Sequence, residues 1–293
     1  MFKDRTIAFI GPGVMAEAMI AGLIRQGVAQ PEALVAAGPR PERLDELCQQ
    51  YRIRTFLENA VAARQADVVV LSVKPQRLDR VLAGLSGAVQ PSALVLSIVA
   101  GASIQKISAG LQHERVVRSM PNTPAQIGEG ITVWAAAPRV SEEQLDMARQ
   151  ILGALGQEIF VEEENYLDMA TALSGTGPAY IFLFMEAMVD AGVHLGFPRR
   201  IAEQLVAQTV LGSVDFYIKQ NEEDHIHLAR LRNQVTSPGG TSAAALYYLE
   251  KAGFRTAISR AIWAAYERSM ELGKGGRSHS PDQPAVTNGG TEA

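Results

Sequence analysis

The stretch Ile7-Ala8-Phe9-Ile10-Gly11-Pro12-Gly13-Val14-Met15-Ala16 decides the fold of this chain. An apolar strand-like run leads into a glycine turn, and an apolar-periodic helical segment follows over residues 16–26. Strand, turn and helix in immediate succession, carrying Gly-x-Gly-x-x-Ala, form a dinucleotide turn. Gly11 permits the tight bend, Gly13 lets backbone approach a pyrophosphate, and Ala16 lets helix pack closely on strand. The helix N-terminus then faces the anion. Pro12 has no N–H, so Gly13 and the residues after it are expected to carry more of the phosphate contact. Ile10, Gly11, Pro12, Gly13, Val14 and Met15 are therefore the first candidate cofactor contacts.

Outward from this turn, short β-branched runs alternate with amphipathic segments. Strands are expected at residues 6–10, 33–37, 67–72, 94–98, 115–120, 131–135 and 158–161, with a weaker one at 53–56. A helix over residues 41–50 enters through Pro39 and Pro41. This alternation is the sequence form of a doubly wound α/β domain, a parallel sheet with helices on both faces. After about residue 162 the strands stop, and the chain reads as helices punctuated by Gly177-Pro178, Phe197-Pro198 and Ser237-Pro238-Gly239-Gly240. The expected division is a dinucleotide-binding domain over residues 1–163, an all-helical domain over 164–273 and a disordered tail over 274–293. That tail holds almost no large apolar side chain with which to order itself.

The helix expected over residues 180–195 is apolar on nearly every face, which requires cover from surrounding protein. The chain has few helices to supply it, so a second subunit is expected. The longest apolar stretch, residues 179–189, contains Glu186 and is too short to span a bilayer. No secretory signal is visible at the N-terminus, and a cytoplasmic location is expected. The chain has 293 residues, 47% hydrophobic and 20% charged, with a net charge of -4; no basic run offers a footprint for nucleic acid or an anionic membrane. The ligand is then a small molecule. Cys48 is the only cysteine, which excludes an intrachain disulfide and a cysteine zinc site; it reads as a small buried side chain.

Further cofactor candidates sit at strand ends, where ligands of open α/β sheets gather. They are Ser72, Val73, Lys74 and Pro75 after one strand, and Ile98, Val99, Ala100 and Gly101 after the next. The second strand ends in Ala36-Ala37-Gly38-Pro39-Arg40, without the acid that holds the ribose hydroxyls of NAD. Arg40, with Arg43 one helical turn on, reads either as a receptor for a 2′-phosphate, favouring NADPH over NADH, or as a pair of solvated helix-start cations. Gly38 would lie beside it.

Residues 237–242, Ser-Pro-Gly-Gly-Thr-Ser, precede a helical run at 243–252. Small residues before a helix leave backbone N–H groups unobstructed, so the segment reads either as a carboxylate receptor or as a plain helix start. Together with its neighbours it carries a family resemblance. VTSPGGTS at 235–242, MPNTP at 120–124, SVKPQ at 72–76 and ALSGTGPAY at 172–180 run in the order found in the pyrroline-5-carboxylate reductase family, which the chain resembles from about residue 6 to 273. The resemblance implies NAD(P)H-dependent reduction of 1-pyrroline-5-carboxylate to L-proline. It also implies a homodimer with active sites between subunits, often assembled as a ring of dimers such as a decamer. It places Ser237, Gly240, Thr241 and Ser242 at the substrate carboxylate, with Ser242 standing where the family generally has threonine, near the ring nitrogen. It also implicates Glu164 at the substrate and Asn59 and Gln234 near the cofactor. The family often carries Asn or Gln where this chain has Val14.

An iminium arrives already protonated, so little acid-base machinery is expected, with Ser242 as the one catalytic candidate. That suits a chain without an evident His-Asp pair. His113, His194, His225 and His227 read as structural or solvated. The β-hydroxyacid dehydrogenases share the plan but use a lysine on an early helix of the second domain, and no lysine occurs between Lys106 and Lys219. A nucleotide sensor that retains the fold without chemistry is the alternative of another class.

Overall fold

The computed structural model describes residue 2, residues 5–223 and residues 225–273. The tail expected at 274–293 lies outside them. The first half runs β1 (Ile7–Ile10), α1 (Val14–Arg25), β2 (Leu34–Ala37), α2 (Pro41–Tyr51), β3 (Arg54–Phe56), α3 (Asn59–Arg64), β4 (Val68–Leu71), α4 (Leu78–Leu85), β5 (Leu94–Ser97), α5 (Ile104–Leu111), β6 (Val116–Met120), β7 (Gly130–Ala136), α6 (Glu142–Gly153) and β8 (Gly156–Phe160). The strands form one sheet in the order β3-β2-β1-β4-β5-β6-β7-β8. The reversal of strand order falls between β1 and β4, whose registers pair Ile10 with Leu71, and this is where such sheets open a ligand crevice.

The sheet departs from the parallel expectation at one edge. β7 runs antiparallel to β6, and β8 runs parallel to β7. Residues 121–129, which join β6 to β7, hold only a short 3₁₀ turn, Thr123–Ile127. A parallel return needs a crossover of about a dozen residues or more, so the chain doubles back instead.

β1, β2, β4 and β5 are buried along their whole length because helices cover both faces. On one side Met19, Ile20 and Leu23 of α1, Leu44 and Leu47 of α2, and Met147, Ile151 and Leu152 of α6 form a core with Phe9, Leu34 and Leu96. On the other, Ala62 and Ala63 of α3, Leu78, Leu82 and Leu85 of α4 and Ile107 of α5 pack on Ile10, Val69 and Val95. Cys48 corrects its expected burial: it points outward from α2 and is exposed, because Leu44 and Leu47 occupy the inward stripe.

The second half runs α7 (Tyr166–Ala170), a π-helical turn (Thr171–Gly175), α8 (Gly177–His194), α9 (Arg199–Glu223), α10 (Leu228–Gln234), α11 (Thr241–Lys251) and α12 (Phe254–Gly273). By length and composition the continuous helical run Tyr166–His194 would suffice to cross a membrane, longer than the stretch read from sequence. Many of its large apolar residues are bare in the single chain: Phe182 is 62% and Leu183 68% exposed. Phe216 of α9, Tyr248 of α11 and Trp263 of α12 are likewise open. Among the described residues, a small cluster, Val189, Ala202 and Val206, is buried between α8 and α9. An apolar surface of this extent marks an association face.

Candidate active site

The phosphate turn is built by the residues around it. Gly11 adopts φ +87°, where a non-glycine residue is strained, and a Cβ there would collide with Val73 Cγ1. The Gly11 N–H donates to Ala37 O at 2.9 Å, tying the turn to the end of β2. Ser72 lies beneath it, with Oγ 3.0 Å from Ile10 O and 3.1 Å from Gly11 O, its single proton shared between the two carbonyls. Ser72 and Val73 thus shape the turn from the neighbouring strand. The expectation for Gly13 needs correction: its N–H donates to Gly11 O at 2.7 Å and is spent inside the turn. α1 starts at Val14, and its first i→i−4 bond is Glu17 N–H to Gly13 O at 3.0 Å. The amides of Val14, Met15 and Ala16 precede that bond and are the free donors. With an N-cap glycine that contributes no side-chain acceptor, this terminus fits a pyrophosphate.

The two arginines separate. Arg43 donates from Nε to Pro12 O at 3.1 Å, pairs with Glu46 at 3.1 Å and makes a close ion pair with Glu17. Glu17 also accepts from the Tyr51 hydroxyl at 3.0 Å. The bond to Glu17 raises the Arg43 pKa above its ordinary value, against the opposing effect of burial. Arg43 is therefore a brace for the turn, which corrects its reading as a partner for a 2′-phosphate. Arg40, the residue before α2, is exposed beside buried Gly38. Asn59 opens α3, and its buried Oδ1 has no protein donor, so a hydroxyl or amine of a ligand fits there. Lys74 and Pro75 enter a 3₁₀ turn after β4, and Lys74 is exposed. Ile98, Val99 and Ala100 follow β5, with the Val99 N–H held by Ser97 Oγ at 3.2 Å.

The second constellation lies in the helical half. Gly239 has φ +73°, and the Gly240 N–H donates to Ser237 O at 3.0 Å, so residues 237–240 form a turn of the proline-glycine kind. Gly240 caps α11 without a side-chain acceptor. Thr241 and Ser242 are already helical, two residues earlier than the sequence suggested, because an extended Gly240 lets the next residue enter α geometry at once. The first i→i−4 bond is Ala244 N–H to Gly240 O at 3.2 Å, leaving the amides of Thr241, Ser242 and Ala243 as an anion receptor. By contrast α5 and α6 are closed by the side chains of Ser103 and Ser141. Ser237 is exposed and Ser242 half-buried; Gln234 ends α10, also exposed.

Glu164, which the family resemblance implicates at the substrate, uses one carboxylate oxygen within the protein. Its Oε1 accepts the Ile104 N–H at 2.8 Å and Arg118 Nη1 at 3.0 Å. Arg118 also donates from Nη2 to Asp168 at 2.9 Å, and Asp168 accepts the Ser269 hydroxyl at 2.8 Å. Sequence reasoning missed Arg118, although a charge inside the apolar strand Val116-Val117-Arg118-Ser119-Met120 was the available signal. Its two terminal nitrogens hold protein carboxylates, while its buried Nε has no protein acceptor.

A model described as pyrroline-5-carboxylate reductase dimerisation matches residues 164–272, and one described as NADP oxidoreductase, coenzyme F420-dependent, matches residues 6–101. A pyrroline-5-carboxylate reductase of Synechocystis is 47% identical over 268 residues, covering 92% of this chain and 98% of its own. The chain belongs to the pyrroline-5-carboxylate reductase family. A Pseudomonas aeruginosa pyrroline-5-carboxylate reductase is 42% identical, with 91% of this chain and 96% of its own covered. The solved pyrroline carboxylate reductase of Plasmodium falciparum with NADP bound superimposes with a TM-score of 0.84 at 31% identity, over 93% of this chain and 100% of that one. In this family the helical half is the dimerisation unit, which accounts for the bare apolar faces of α8, α9, α11 and α12.

Proposed function

We propose that the chain reduces the C=N bond of 1-pyrroline-5-carboxylate to L-proline, with NADPH as the preferred donor and NADH as the second. The observation that carries this reading is the uncapped N-terminus of α11 behind the Ser237–Gly240 turn: three convergent amides suit one carboxylate. Family membership supplies the reaction, and the engagement of Arg118 Nη1 and Nη2 by Glu164 and Asp168 supports that terminus as the receptor.

When bound, a reduced nicotinamide would supply hydride to the imine carbon, C2 of the pyrroline ring and C5 of the proline it becomes, while the iminium nitrogen keeps its proton as the amine of proline. The chain's own work is placement. The amides of Val14, Met15 and Ala16 hold the pyrophosphate; Arg40 meets the 2′-phosphate; Asn59 Oδ1 accepts from the adenosine end. Ser72, Val73, Lys74 and Pro75 wall one side, with Ile98, Val99 and Ala100 on the other. Ser237, Gly240 and Thr241 hold the carboxylate. Ser242, in the first turn of α11, orients the ring nitrogen through its hydroxyl.

We place the division between the two units at 163/164. The segment bearing Ser237 to Ser242 and Gln234 sits on helices whose apolar sides are bare, so a homodimer with a shared site completes the arrangement, one protomer offering the turn of α1 and its partner the start of α11. A decamer built of five such dimers and a cytoplasmic location follow the family pattern.

A substrate panel tests the reading. NADPH oxidation is expected with the five-membered imine carboxylate, at a rate well above that with an imine lacking the carboxylate. Equal rates with and without the carboxylate would remove the α11 receptor. Ser242→Ala is expected to lower kcat about tenfold or more, and undiminished turnover would remove Ser242 from the chemistry.

A further inference from the structure

Two carboxylates and one guanidinium meet at the seam between the sheet and the helical half. Arg118 is on β6, paired in register with Ser97 at the end of β5, and its side chain is 4% exposed. Glu164 and Asp168 come from the segment that enters the helical half, and Ser269 from α12. Glu164 Oε1 also takes the Ile104 N–H, the first amide of α5. The guanidinium therefore holds a carboxylate on the end of the very segment, residues 98–104, that begins at the strand-end contacts Ile98, Val99 and Ala100.

That segment is fixed at three points. At its start, Ser97 Oγ accepts from Val99 N–H, and Ser119 Oγ donates to Ser97 O at 3.0 Å. In its middle, Gly101 at φ +69° lies against the last turn of α12, where a Cβ on it would stand 2.8 Å from Gly273 N. At its end stands the bond of Glu164 to Ile104. The third point alone depends on a charge that another side chain must balance. Glu164 without Arg118 would face Asp168 as a like charge in a partly buried seam, and like charges so placed push apart.

We propose that Arg118 is a positioning residue for hydride transfer. By holding Glu164 on the Ile104 amide, it locks residues 98–104 to the helical half, so the wall beside the nicotinamide and the unit that carries the acceptor keep one relative placement. This rests on the reductase reading above. It assigns Glu164 Oε1 to the lock. Arg118 touches neither cofactor nor substrate, and its effect passes through Glu164. The adenosine end of the cofactor is held by the α1 turn and Arg40, so the lock should leave that end untouched.

The test uses the full-length protein with Arg118→Lys and Glu164→Gln. Lysine keeps the charge but cannot fork to both carboxylates, and glutamine keeps an acceptor for Ile104 while losing its attraction to Arg118. For both, amide exchange at Ile104 is expected to rise about tenfold or more relative to amides of the buried strand β4. Misplacement of the wall is expected to lower kcat about tenfold to a hundredfold, with a primary isotope effect on kcat, from NADPH carrying deuterium at both C4 positions, that grows. Affinity for 2′,5′-ADP, which lacks the nicotinamide, should stay within about twofold, because its contacts are made elsewhere. If either variant fails to fold, the other still reads out the lock. Unchanged exchange at Ile104 overturns the proposal, as does faster exchange with kcat retained and only the melting temperature lowered, which is the signature of structural glue. Wild-type protein that fails to oxidise NADPH with 1-pyrroline-5-carboxylate would instead overturn the reductase reading, while the exchange result would still report whether the lock exists.

Discussion

Arg43 Nε donates to the carbonyl oxygen of Pro12 at 3.1 Å, so a residue on α2 braces the turn that precedes α1. With Glu17 and Glu46 holding its other nitrogens, Arg43 is committed to the protein, whereas Arg40 is free to meet a phosphate. Arg40→Ala is expected to weaken NADPH binding about tenfold or more with little change for NADH, the size of a lost charge-assisted hydrogen bond. Arg43→Ala should weaken both cofactors alike. Fluorescence titration with each cofactor distinguishes them, and a loss confined to NADPH in Arg43→Ala would return that residue to the 2′-phosphate.

Gly11→Ala combines a positive φ with a collision at Val73. We expect about 2 kcal/mol of destabilisation or more, and loss of binding for both cofactors, read from thermal unfolding and titration. Normal affinity with alanine in place would show that the turn is not the pyrophosphate site.

His113 is buried with its Nε2 2.8 Å from Ala93 O, at the end of the sheet away from the strand ends that gather ligands. Burial pushes its pKa below 6.5, Arg115 adds to that, and the Ala93 carbonyl and Glu114 oppose it. The unfolded chain therefore takes up a proton near pH 6.5 that the folded chain resists. The contribution of His113 to stability is full above that pH and is lost as pH falls through it toward the lower folded value. His113→Gln should flatten the fall in urea midpoint between pH 8 and pH 5, relative to wild type. Parallel profiles would contradict the shift.

Phe182 and Leu183 lie bare on α8. A Phe182→Glu/Leu183→Glu variant is expected to shift the mass in light scattering from a dimer or larger assembly to a monomer, and to lose turnover with it. A monomeric, fully active variant would show that one chain holds the whole site.

The fold was largely legible because period-two apolar runs and one glycine turn specify strands and their helical crossovers. All eight strands fall where residues 6–10 through 158–161 indicated. Strand direction is another matter: β7 looks the same run either way, and only the shortness of residues 121–129 reverses it. In the site, Gly11, Ser72 and the Ser237–Gly240 turn declare themselves through local backbone demands. Arg43 and Arg118 do not, since their partners Glu17, Glu164 and Asp168 stand 26, 46 and 50 positions away. A charge in sequence shows neither its partner nor whether it is spent.

Hydride delivery to an imine carbon can be followed by the fate of a deuterium label. With NADPH carrying deuterium at both C4 positions and 1-pyrroline-5-carboxylate, L-proline with one deuterium at C5 is expected, formed in step with the fall in absorbance at about 340 nm. Unlabelled proline, label at another carbon, or NADPH bound but not oxidised would contradict it.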